Sequence, residues 1–170
     1  MSAFPLTRRA ALASLGALCL PALAETPAAL AQAGLRIRAI KVDVSPIRAS
    51  VGDPTAAWVD EALPGALAQS LAPYMAPGDR NGATLIARID TLDLGTSGGG
   101  PGFFHQTQDT VNGTLLLRGP RGVIANVPLR AISSYYPMAV DQALVERALQ
   151  GRVTALAQAF AGWAPRELRL

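Results

Sequence analysis

The only imidazole in the chain is His105, and it sits among Ser97, Thr107 and Asp109, the residue types from which a nucleophile, a base and an orienting carboxylate are assembled. A general base must reach both a nucleophile and its own orienting group. Neighbours on an extended segment alternate faces and do not converge by default, and no G-x-S-x-G elbow is present. An exposed loop histidine is therefore the favoured reading, with a small secreted hydrolase using His105 as the alternative. Carboxylates pair at Asp60-Glu61 and at Asp90/Asp93. Both pairs read as solvated charge, and Asp90 shares a strand face with Arg88. Asp93 and Asp109 together supply too few ligands for calcium. One cysteine excludes an internal disulfide and a multi-thiolate zinc site. No metal and no cofactor is expected.

The glycine run Gly95–Gly102, GTSGGGPG, leads into Phe103-Phe104-His105 and then a strand. A phosphate-cradling loop needs a helix directly after it, so that backbone N–H groups converge on the anion. The run is read as a flexible loop over 95–109. Phe103 and Phe104 cannot both enter one strand face. They either form an exposed tip that touches a partner or lipid, or fold back over a sheet edge. Tyr135 and Tyr136, before Pro137, either plug one end of the fold or add to a partner surface.

The 170 residues suit one domain. Half are apolar and 16% are charged, which excludes a disordered chain. Aromatics make up 5%, so the core must come from Leu, Val and Ile.

The N-terminus has the layout of an export signal: basic Arg8 and Arg9, then the uncharged run Ala10–Ala24, then small residues at cleavage positions. The run is shorter than the roughly 20 residues that cross a bilayer. Ala22-Leu23-Ala24 and Ala31-Gln32-Ala33 both fit an A-x-A site. Cleavage after Ala33 is preferred, because patterned strand sequence begins at Leu35. A signal peptide over 1–33 leaves a single domain over 34–170. Thr7, Arg8, Arg9 and Leu12 resemble the twin-arginine export signal. Cys19 follows Leu18, not the small residue a lipobox requires, so lipid anchoring there is not expected. After Ala33 the chain holds 13 basic and 11 acidic residues. With no basic stripe carrying interleaved aromatics, nucleic acid is not an expected partner.

Leu35–Val44 alternates with period two, and its phase slips at Ala39-Ile40, as a bulge would allow. Ser45-Pro46 reads as the end of that strand. Asp53-Pro54 reads as a capping Asp followed by Pro at the first helical position. The helix it opens runs to about Tyr74, with an apolar stripe at Val59, Leu63, Leu67 and Leu71 and a kink or restart at Pro64. Ala83–Leu94, Thr110–Arg118 and Val123–Ser133 read as strands. The last two form a hairpin, with Pro128 marking an edge or a bulge. Val140–Trp163 is a helix burying Leu149, Val153, Leu156, Phe160 and Trp163, closed by Gly162 and Pro165.

The order β-α-β-β-β-α implies an α+β two-layer sandwich, a four-stranded mainly antiparallel sheet with two helices on one face.

The run Trp58-x4-Leu63-Pro64-x2-Leu67-x3-Leu71, after an N-terminal strand, resembles the first helix of small periplasmic auxiliary lipoproteins of ABC-type transport systems. The element order resembles that group and the lipopolysaccharide-assembly lipoproteins. The closing Ala159-Phe160-Ala161-Gly162-Trp163 resembles exported alphaproteobacterial proteins. Those groups imply no catalytic residues. The expectation is a non-enzymatic periplasmic binding or assembly module, possessing an envelope protein or lipid as partner and peripheral membrane contact. A self-associating structural protein with an open edge strand is a further alternative.

Overall fold

The computed structural model describes residues 34–95, 107–135 and 142–170. Strand β1 (Ile37–Asp43) leads into helices α1 (Ser45–Val51) and α2 (Asp53–Ser70) and a 3-10 turn at Ala72–Tyr74. Strands β2 (Ala83–Asp93), β3 (Thr107–Gly119) and β4 (Gly122–Tyr135) follow, and helix α3 (Gln142–Glu167) closes the chain. The four strands lie in chain order, with β1 parallel to β2 and the remaining pairs antiparallel. The parallel pair is a consequence of the helical crossover, since a short hairpin cannot join parallel strands. This is the expected two-layer α+β sandwich, with one helix more than the sequence reading provides.

Bulges keep the apolar side chains on one face. The β1–β2 register shifts between Ile37 and Ala39, so Ile37 and then Ile40, Val42 and Val44 all meet the core. The β2–β3 register shifts between Ile89 and Thr91, and Leu85, Ala87, Ile89 and Leu92 are all buried. Each bulge inserts one residue, and the alternation resumes on the same side. Gly113 lies opposite Ile89 in β2. A Cβ there would come within 2.4 Å of the Arg88 carbonyl oxygen and 3.3 Å of Phe160 Cε2. The β2 backbone approaches so closely at this bulge that only glycine fits without a shift.

Several local readings are corrected. Ser45-Pro46 opens α1 where it was expected only to end a strand. Pro46 stands in the first turn, where its missing N–H is harmless, and Ile47 is fully buried. Asp53 is no cap. Gly52, at φ 80°, precedes α2, and Asp53 accepts a 2.9 Å bond from Arg48 Nη1. Helix α2 runs unbroken past Pro64 and ends at Ser70, because burial of Ala56, Val59, Leu63 and Leu67 holds it on both sides of the proline. Strand β3 starts at Thr107, inside the expected 95–109 loop.

Helix α3 likewise continues through Gly162 and Pro165 to Glu167. It stops in a Schellman arrangement, with Leu170 N–H on Pro165 O at 3.0 Å and Arg169 N–H on Arg166 O at 3.1 Å. Arg169 holds the left-handed position, φ 55°, that glycine usually takes. Trp163 is 45% exposed and does not pack inward. Its ring lies 5.1 Å from the Arg166 guanidinium carbon. Small residues Ala157, Ala161 and Ala164 fill the buried face beside Val153, Leu156 and Phe160. Val123 is 62% exposed, because the register shift between Leu117 and Arg118 turns the hairpin end outward. Pro128 lies on the edge strand β4, as its missing donor requires.

Candidate functional site

The inward phase of β3 runs Asp109, Val111, Gly113, Leu115, Leu117, and all are buried. A carboxylate ending an apolar row must find a partner or lose its charge. Asp109 is 1% exposed, and α3 supplies Arg152, whose side chain is 12% exposed. Arg152 Nε donates to Asp109 Oδ2 at 2.8 Å, and Arg152 Nη2 donates to Oδ1. Gly95 N–H also donates to Oδ1 at 3.1 Å, while its carbonyl accepts from Arg152 Nη2 at 2.8 Å. This two-pronged pairing is the strong geometry for arginine and carboxylate. It ties the end of β2, the start of β3 and α3 into one strut. Beside it lies a cavity of about 220 Å³ lined by Asp109, Ser133, Ser134, Ala148, Gly151 and Arg152, among others.

Both Asp109 oxygens are therefore committed. No cluster of three or more metal-ligating side chains forms among the described residues. Arg88 and Asp90 pair at 3.0 Å on the exposed sheet face, as their spacing implied, and Asp90 also accepts from Thr114. Asp60 and Glu61 are exposed on α2. The Ser45 hydroxyl and N–H hold the Asp43 carboxyl below its usual range; burial opposes them and Arg88 adds to them. A depressed carboxylate contributes its stabilisation at neutral pH and loses it as pH falls through the lowered value.

Phe103, Phe104, His105, Ser97 and Tyr136 lie outside the described residues, as do Arg8, Arg9, Cys19, Ala22, Ala24, Ala31 and Ala33. Tyr135 is the last residue of β4, its backbone paired with Thr107, rather than part of a segment after the strand. Arg152 is not among the residues that the sequence singles out. The signal was Asp109 standing in phase with Val111, Leu115 and Leu117, a buried charge that required a cation from the covering helix.

The helices leave the other sheet face without a described element over it. Its cross-strand rows include Lys41–Ile86–Leu116–Asn126 and Asp43–Arg88–Thr114–Pro128. Ile86 and Leu116 are half-buried at its centre, while Arg88 and Arg130 are exposed.

No protein-family model matches the chain, and no curated protein matches it. Among solved structures it is similar to a provisionally assigned lipoprotein from Caulobacter crescentus, at 12% identity and TM-score 0.49, covering 84% of this chain and 95% of that one. It is similar to the rare lipoprotein B from Shewanella oneidensis, at 10% identity and TM-score 0.43, covering 77% and 93%. A minor lipoprotein from Acinetobacter baumannii gives 11% identity and TM-score 0.45 over 77% and 93%. Likeness of this depth says nothing about what this chain binds.

Proposed function

We propose that this chain works after export as a non-enzymatic binding and assembly module of the periplasm, an auxiliary component of an envelope transport system. The observation that supports this is the sheet face over which no described element lies. Ile86 and Leu116 form an apolar centre, and Arg88, Asp90 and Arg130 ring it with charge, the layout of a surface that receives a partner. Arg8-Arg9 and the small residues before Gly34 supply the export signal in this reading. In this reading Asp109, held by Arg152, fastens α3 to the sheet. Self-association through strand edges is opposed by Pro128 and Arg130 on β4 and by Arg38 and Lys41 on β1, residues that blunt an open edge. No helix among the described residues is long and apolar enough to cross a membrane.

Leu116→Glu places a charge at the centre of the face without touching the core side. Co-purification of the processed protein with its envelope partner should fall at least tenfold, and His105→Ala should leave it unchanged. An unaffected Leu116→Glu variant, or turnover on ester, peptide or glycoside panels that His105→Ala abolishes, would overturn the reading.

A further inference from the structure

The charges of the sandwich are segregated by end. At one end β1 and β2 begin and the β3–β4 hairpin turns. Ala83 N–H on Arg36 O at 2.7 Å and Ala76 N–H on Ile37 O at 2.8 Å tie the segment between α2 and β2 to the start of β1. Helix α3 ends beside them, where Leu168 and Leu170 join Leu35, Leu117 and Ile124 around a recess of about 410 Å³. Six exposed arginines gather here: Arg36, Arg80, Arg118, Arg121, Arg166 and Arg169. The acidic residues among them are Asp79, whose Oδ1 accepts from Asn81 N–H, and Glu167. None of the six arginines forms an ion pair with a described residue. The ion pairs among the described residues, Arg48–Asp53, Arg88–Asp90 and Arg152–Asp109, all lie toward the other end.

Apolar side chains are exposed beside these cations: Trp163 under Arg166, and Val123 next to the Arg121 turn. Arg169 keeps a left-handed backbone that glycine would adopt without strain, so a cation stands where local geometry favours none.

We propose that the arginine end is a docking surface for an anionic phospholipid bilayer. Each arginine near such a surface multiplies partitioning by about fivefold. Tryptophan belongs at the headgroup level, and a small apolar tip such as Val123 can enter the acyl boundary. The exposed Trp163 and Val123 favour lipid over nucleic acid, which would meet the arginines through phosphates alone. The proposal goes beyond the partner-binding reading and does not depend on it, since it concerns the end of the sandwich and not its open face.

The test is co-sedimentation of the processed protein with vesicles of phosphatidylglycerol and phosphatidylethanolamine, against vesicles of phosphatidylcholine alone. Binding is expected only to the anionic vesicles, and high salt should release it. Arg121→Glu with Arg169→Glu should lower the partition coefficient at least ~20-fold. The charge-matched pair Arg48→Glu with Arg147→Glu, at the other end, should change it less than about threefold. Circular dichroism verifies that each variant is folded. Failure to bind anionic vesicles, equal binding to neutral ones, equal loss in both variant pairs, or tighter binding to a short DNA duplex would each overturn the proposal.

Discussion

Replacing Asp109 by alanine is expected to lower the unfolding free energy by about 3–5 kcal/mol, the loss that follows when one member of a buried ion pair is removed. The guanidinium of Arg152, held against Asp109 Oδ1 and Oδ2 and the Gly95 carbonyl, would keep its burial and lose this carboxylate. The stability of a small domain is about 5–15 kcal/mol, so this single change removes a large share of it. Urea denaturation of Asp109→Ala, Arg152→Ala and the double variant separates the pair from its burial. The double variant should be less damaged than the sum of the two singles, because it strands neither charge. A loss below about 1 kcal/mol for Asp109→Ala would mean that water reaches the pair and that the strut contributes little.

Phe160→Ala should have a comparable effect, about 3–5 kcal/mol. Phe160 is fully buried where α3 meets the sheet, opposite the Cβ-less Gly113. It also lines, with Val59, Leu63, Ile89, Val111 and Leu156, a small gap between the two layers. Removing the ring enlarges that gap at the point where α2, α3 and the sheet converge, and the backbone contact at Gly113 leaves little scope for collapse. Phe160→Leu retains most of the volume and should cost less than about 1.5 kcal/mol. Calorimetric or chemical denaturation of the two variants is the check; equal losses would show that the ring's shape, not its volume, is what the site requires.

Much of the fold is legible in the sequence because bulges and stripes leave periodic traces. The phase changes in Leu35–Val44 and Ala83–Leu94 mark the two register shifts within one residue or so, since alternation must break where an extra residue enters. Pro128 identifies an edge strand by its missing donor. Short-range signals were ambiguous where one residue serves two grammars. Pro46 stops a strand and equally starts a helix, and burial of Ile47 decides for the helix. Pro165 and Gly162 look like terminators, yet α3 runs past both because Ala161 and Ala164 bury their side of it.

The site was harder to read, because its parts are far apart in sequence. Asp109 and Arg152 lie 43 residues apart, and only the docking of α3 on the sheet brings them together. The arginine end is invisible to a net-charge count. Arg36 precedes β1, Arg80 and Arg121 lie in two connections and Arg169 follows α3; the topology gathers them at one end, while the balancing carboxylates accumulate at the other.

The central claim, that the open sheet face receives a partner, is tested most directly by a photo-reactive amino acid placed at position 116 and, for comparison, at position 61 on the helix layer. Irradiation of intact cells should give a discrete cross-linked species from position 116 and none from position 61. The same adducts from both positions, or none from either, would contradict the account.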